Sequence, residues 1–168
     1  MGYNDGLRQV AETLPIKAGK ILVTGATGLI GSCCIDALLY ANEYCGCRFE
    51  IFALGRSQEK ISKRFKGKVT PVVQDVVMPL TLDVVFDYII HAASNADPKM
   101  YALQPAETIL TNVIGTKNVL EYCKKNIDTR LLLTSTFEVY GKIDGIDVYS
   151  ENMVGLVDFH MLRNGYTE

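Results

Sequence analysis

The stretch Lys20-Ile-Leu-Val-Thr-Gly-Ala-Thr-Gly-Leu-Ile-Gly31 constrains this chain more than any other. An apolar run, Ile21 to Val23, leads into Gly25, Gly28 and Gly31. A helical apolar pattern (Leu29, Ile30, Ile35, Leu38, Leu39) starts at once. The order reads strand, glycine turn, helix. A helix start offers unpaired N–H groups and the positive end of a dipole, both of which attract phosphate. Side chains would hold a pyrophosphate away from that backbone, so glycine is required. The context predicts a dinucleotide site whose turn is Gly25, Thr27, Gly28, Leu29, Ile30 and Gly31. Its spacing is Gly-x-x-Gly-x-x-Gly, not Gly-x-Gly-x-x-Gly.

A chain of 168 residues suffices for one domain with a sizeable core. Apolar residues make up 48% and charged residues 21%, a globular composition. The formal net charge of −2 implies no basic face, so neither nucleic acid nor an anionic membrane is an expected partner. Met1 to Lys20 is polar and no apolar run reaches membrane-spanning length, so a cytoplasmic protein without a signal peptide is expected. The five cysteines (Cys33, Cys34, Cys45, Cys47, Cys123) are odd in number. Cys45-Gly-Cys47 is too close for an easy disulfide and lacks a second ligand pair, so reduced thiols and no metal are expected.

Residues 1–19 read as a peripheral N-terminal helix ending before Pro15, and residues 20–168 as the main domain. Strands are expected at 20–24, 49–54, 69–73, 87–91 and 130–135. Helices are expected at 29–44, 57–65 and 105–125, with a last one entered near Asp158. The runs Ile51-Phe-Ala-Leu54, Tyr88-Ile-Ile90 and Leu131-Leu-Leu133 are continuous, which predicts burial on both strand faces in a parallel sheet. This alternation predicts a doubly wound α/β fold with helices on both faces. Ligands in such folds bind beyond the carboxyl ends of the strands, so the residues after each strand carry the reading.

After the second strand comes Gly55-Arg56-Ser57, where such folds meet the adenosine ribose. An acid there selects NAD, whereas an arginine holds a 2′-phosphate. Arg56 therefore hints at NADP; the other reading is an arginine opening a helix or stacked on adenine. After the third strand, Asp75-Val76 offers a carboxylate for the adenine amino group and an N–H for a ring nitrogen, or simply a turn. After the fourth, His91-Ala92-Ala93-Ser94 lets a cofactor lie against backbone, with His91 read as a structural hydrogen-bonder rather than a base. After the fifth, Thr134-Ser-Thr136-Phe-Glu138-Val-Tyr-Gly141 gathers hydroxyls, a carboxylate and a phenol, the best candidates for chemistry. Asn112, within the long helix, is expected to bond backbone near the fourth strand. Tyr140 reads as packing, Met100-Tyr101 as a border of the substrate site, and His160 has no role.

Together these stretches resemble the extended short-chain dehydrogenase/reductases, and within them the NAD-dependent epimerase/dehydratase branch that acts on nucleotide sugars. The resemblance rests on Thr24-Gly-Ala-Thr-Gly-Leu-Ile-Gly31, Asp75-Val76, His91-Ala-Ala-Ser94, Asn112-Val-Ile-Gly-Thr-Lys-Asn118 and Ser135-Thr-Phe-Glu-Val-Tyr-Gly141, in order over residues 20–141. It implies a Rossmann-type sheet and a cofactor, NAD or NADP, held at Gly25 to Gly31, Arg56, Asp75, Val76, His91 to Ser94, Asn112 and Thr134. It implies catalysis by Thr136, Glu138 and Tyr166, the last in Asn164-Gly-Tyr-Thr-Glu168. The family's lysine, four residues beyond that tyrosine, would fall two places past Glu168, and its substrate subdomain comes from later sequence. The chain is thus expected to be a cofactor-binding fragment of an enzyme passing through a transient 4-keto sugar, itself inactive. Glu138 leans toward dehydratase or decarboxylase chemistry. Phe137 stands where glucose dehydratases carry an acid and blurs that choice. The resemblance also implies a homodimer through the 105–125 helix and the Tyr166 helix, weakened in this fragment. Rival readings are an NADPH-dependent carbonyl reductase and a non-catalytic dinucleotide sensor.

Overall fold

The computed structural model describes residues 2–95, 103–145 and 147–158. The elements follow as α1 (Tyr3–Thr13), β1 (Ala18–Thr24), α2 (Leu29–Tyr44), β2 (Arg48–Gly55), α3 (Gln58–Phe65), β3 (Thr70–Val73), β4 (Tyr88–His91), α4 (Pro105–Lys125) and β5 (Arg130–Leu133), then one 3-10 turn at Phe137–Tyr140. Pro15 follows closely on α1, because proline cannot continue a helix. Ser57 opens α3 by accepting from the Lys60 N–H, and Lys66 closes it in the left-handed region at φ 51°. Pro105 stands in the first turn of α4, where its missing N–H costs nothing.

The five strands form one parallel sheet in the order β3-β2-β1-β4-β5. One row of partners crosses it near the carboxyl ends: Val72, Leu54, Thr24, His91 and Leu133. From β1 the chain winds outward to β2 and β3, then returns past β1 to β4 and on to β5. The reversal leaves a crevice between β1 and β4 beyond that row.

Side chains alternate along each strand, so β1 feeds two cores. Ile21 and Val23 face α2 and α3 through Ile35, Leu38, Ala41, Ile61 and Phe65. Leu22 faces the opposite way, with Leu54, Ile89, Phe86, Val119 and Tyr122. Each fully buried aliphatic side chain contributes about 1.5–3 kcal/mol. The sheet thus has helices on both faces, a Rossmann-type arrangement.

The expectation for β5 is corrected. Its Leu132 and Leu133 are 59% and 48% exposed, where the continuous apolar run had implied burial on both faces. The strand borders the sheet and, among the described residues, no element lies beyond it. It also ends at Leu133 rather than at 135, although the Thr134 N–H still donates to the His91 carbonyl. The helix expected near Asp158, and Met100, Tyr101, His160 and Tyr166, lie outside the described residues.

Candidate functional site

Gly25, the first residue after β1, has φ +64°, and a Cβ there would lie 2.5 Å from the Ala92 carbonyl oxygen. Only glycine allows the turn to lie against the loop after β4. Gly31 is needed for a different contact: a Cβ would meet the Gly25 carbonyl oxygen at 2.4 Å as α2 packs over the turn. Gly28 differs from both. It caps α2 with an ordinary backbone, among the described residues no side chain satisfies the first N–H groups, and a Cβ would find only the Gly25 oxygen, at 3.2 Å. What a side chain at 28 would fill is open space in front of an uncapped helix start, the geometry an anion needs.

Two clefts meet at this turn. The smaller, about 250 Å³, is lined by Gly25, Thr27 and Gly28, by Arg56 after β2, by Gln74, Asp75 and Val76 after β3, and by Ala92, Ala93 and Ser94. The larger, about 700 Å³, is lined by Gly28, Leu29 and Ile30, by His91 to Ser94, by Asn112 and Thr116 on α4, and by Thr134, Ser135 and Thr136. Ala92, Ala93 and Ser94 wall both, so an elongated ligand can run from one to the other across the glycine turn. Leu29 is 82% exposed at the mouth of the larger cleft, an apolar surface set beside the helix start.

A buried hydrogen-bond chain holds the wall. The Thr24 hydroxyl accepts from the Ala92 and Ala93 N–H groups, each at 3.2 Å, and lies 2.7 Å from His91 Nδ1. His91 Nε2 lies 3.2 Å from the Thr116 hydroxyl on α4. Burial lowers the His91 pKa to about 4, so the ring is neutral near pH 7. One turn away on α4, Asn112 accepts from the Ser94 hydroxyl at 2.8 Å. Asn118 donates to the Val76 carbonyl at 3.0 Å and holds the loop after β3.

Asp75 accepts from the Val77 N–H at 3.1 Å, the turn role, while still lining the smaller cleft. Arg56 is exposed on the same cleft. Thr134 donates to the His91 carbonyl at 3.0 Å. Thr136 caps the 3-10 turn by accepting from the Glu138 N–H at 3.3 Å. Glu138 is half-buried on that turn and lines neither cleft, whereas Val139 lines the larger one. Tyr140 stacks on Tyr149, with ring centroids 5.7 Å apart. All five cysteines are free, and no cluster of metal-ligating side chains exists among the described residues. No described helix is long and apolar enough to cross a membrane.

Sequence reasoning gave no role to Thr24, Gln74, Thr111 or Thr116, although Thr24 and Thr116 lie inside stretches that carry the family resemblance. Gln74 lines the smaller cleft while donating to the Met78 and Pro79 carbonyls at 3.2 and 2.9 Å. Thr111 lines that cleft from α4. Thr116 follows Asn112 by four residues, the spacing that puts both on one helix face, and that was the available signal.

Comparison with known proteins bears directly on this arrangement. The chain is 37% identical over 125 residues to UDP-glucuronic acid decarboxylase 2 of Arabidopsis thaliana, covering 74% of this chain and 27% of that protein. It is 38% identical over 122 residues to UDP-glucuronic acid decarboxylase 1 of Danio rerio, covering 73% of this chain and 28% of the relative. The chain therefore matches only about a quarter to a third of the length of such relatives. In fold it is similar to a UDP-glucose-4-epimerase from Stenotrophomonas maltophila with bound NAD and formylated UDP-arabinopyranose, with TM-score 0.69, 18% identity, and coverage of 89% of this chain and 45% of that one. It is also similar to a UDP-N-acetylglucosamine 4-epimerase from Methanobrevibacter ruminantium M1, with TM-score 0.65, 21% identity, and coverage of 84% and 45%. The profile of the NAD dependent epimerase/dehydratase family matches residues 21–160, most of the sheet and the whole wall between the clefts, and the chain belongs to that family.

Proposed function

We propose that this chain is the dinucleotide-binding portion of an enzyme that remodels a nucleotide sugar. The observation that carries the reading is the uncapped start of α2 at Gly28, facing a wall shared by two clefts whose far end holds Thr134 and Thr136. The start of α2 at Gly28 would hold the pyrophosphate of NAD(P), Arg56 and Asp75 in the smaller cleft would hold the adenosine, and the residues of the larger cleft would receive the nicotinamide. A cavity of about 700 Å³ leaves room there for a sugar as well. Arg56, standing where an acid would select NAD, favours NADP.

A nicotinamide held in the larger cleft would supply reversible hydride acceptance for the sugar. The Thr136 hydroxyl donates to the substrate oxygen and fixes its place. Tyr166 takes the hydroxyl proton in the intact protein. A free phenol has a pKa of about 10, so it needs a cation beside it to act at neutral pH. Oxidation at C4 would acidify the C5 proton; Glu138 is the carboxylate that would remove it in a dehydratase, which requires its side chain to turn toward the larger cleft that Thr136 and Val139 already line. The same ketone makes a C6 carboxylate a β-keto acid that releases carbon dioxide, which suits the decarboxylase names of the relatives.

Arg56 also favours a second reading, an NADPH-dependent carbonyl reductase. Calorimetry separates the two. NAD and NADP are titrated into the chain, then UDP-glucuronate into the intact protein with cofactor present. Heats for both cofactor and UDP-sugar are expected. NADP heat without UDP-sugar heat would favour the reductase, and no dinucleotide heat at all would remove both.

A further inference from the structure

His91 is buried, ionisable, and used by neither of the reactions above. Its surroundings are fully specified by hydrogen bonds. The Thr24 oxygen already accepts two N–H groups, from Ala92 and Ala93, so its own hydrogen is directed at His91 Nδ1, 2.7 Å away. That leaves Nδ1 bare and puts the ring proton on Nε2, which donates to the Thr116 hydroxyl. Among the described residues, no carboxylate or cation bonds to the Thr24–His91–Thr116 chain. The ring therefore links β1, through Thr24, to α4, through Thr116, and the backbone it links is Ala92–Ala93. The same backbone is touched from beneath by Gly25 and walls both clefts. Ser94 adds a second tie to α4 at Asn112.

We propose that His91 is a positioning residue for the dinucleotide: a neutral imidazole with its proton on Nε2 that suspends the Ala92–Ser94 backbone between Thr24 and Thr116, and so sets the separation between the glycine turn and the larger cleft. The proposal rests on the dinucleotide reading of the site. A slack wall misplaces the pyrophosphate and the nicotinamide together, because one backbone borders both clefts. The loss is in affinity and geometry, not in a proton-transfer step.

The test uses three single variants and one double. Thr116→Val keeps the shape and removes the hydroxyl, Thr116→Ser restores it, and His91→Asn keeps a polar atom for Thr24 but is too short to reach α4. Dinucleotide affinity is read by calorimetry well below the unfolding temperature, and the ring's protonated nitrogen by ¹⁵N NMR. Expected are a three- to tenfold loss for Thr116→Val, less than twofold for Thr116→Ser, a loss for His91→Asn similar to that for Thr116→Val, and no further loss in the double variant. The NMR spectrum is expected to show a bare Nδ1. Unchanged affinity in Thr116→Val and His91→Asn, additive losses in the double variant, or a protonated Nδ1 would each overturn the proposal. If the unchanged chain binds no dinucleotide, the functional reading itself fails, and this role with it.

Discussion

Gly25 and Gly28 lie three residues apart in one turn, yet an added methyl should act on them in opposite ways. Gly25→Ala forces a left-handed backbone on an L side chain and drives its Cβ toward the Ala92 oxygen. It is expected to cost about 1–3 kcal/mol or more of folding stability, seen as a lower thermal midpoint. Gly28→Ala keeps an ordinary backbone and presses only on the Gly25 oxygen, so it should cost about 1 kcal/mol or less. Its effect should appear in calorimetry as at least a tenfold loss of dinucleotide affinity. His91 makes a third residue-level prediction. Its pKa is about 6.5 unfolded and about 4 in the fold, so the native state binds fewer protons between those values. The stability this contributes is fully present above pH 6.5 and declines by up to about 3 kcal/mol as the pH falls toward 4. Urea midpoints at pH 7, 5.5 and 4.5 should show the decline in the unchanged chain and a shallower one in His91→Asn. The glycines were legible in the sequence because their constraint is local. The Thr24–His91–Thr116 chain was not, because its partners are 67 and 25 residues apart and meet only through the β1–β4 register and the packing of α4 on the sheet.

At the scale of elements, α4 carries more than its apolar stripe suggests. Its inward face holds the loops after β3 and β4 by polar contacts, through Asn112, Thr116 and Asn118, and Tyr122 secures the crossover before β4. The Tyr122 hydroxyl accepts from the Phe86 N–H at 3.2 Å and donates to the Val84 carbonyl. Tyr122→Phe leaves both backbone groups without that partner and should cost about 1–3 kcal/mol, lowering the urea midpoint without changing the slope. Periodicity located this helix with the right bounds, 105–125, because its length and pattern are strong. It could not show which polar residues point inward, since that depends on the loops packed against them. The error over β5 has a related cause. A run of leucines reports that a strand has apolar faces, not whether any element covers them. Leu132→Ser should therefore change the stability of this chain by less than about 1 kcal/mol, where the same change in a closed core costs several.

Taken as a whole, the molecule is fastened by long-range contacts at both layers. The Tyr3 hydroxyl of α1 donates to Asp36 of α2 at 2.5 Å, and Arg64 of α3 pairs with the same carboxylate. Three helices thus meet at one side chain, and the partnership with Asp36 raises the Tyr3 pKa. The strand and helix order was readable because alternation of continuous apolar runs with amphipathic segments admits few topologies. This junction was not, since polar residues on helix exteriors look alike in a sequence. The far border of the sheet has the opposite character. Among the described residues nothing pairs with the outer edge of β5, where amides and carbonyls lie open beside Leu132 and Leu133, with no charged residue between Arg130 and Glu138 to discourage a neighbour. Such a margin is adhesive: when the chain is concentrated by itself, molecules should clump from that side first, and a lysine grafted at 132 should keep the solution clear.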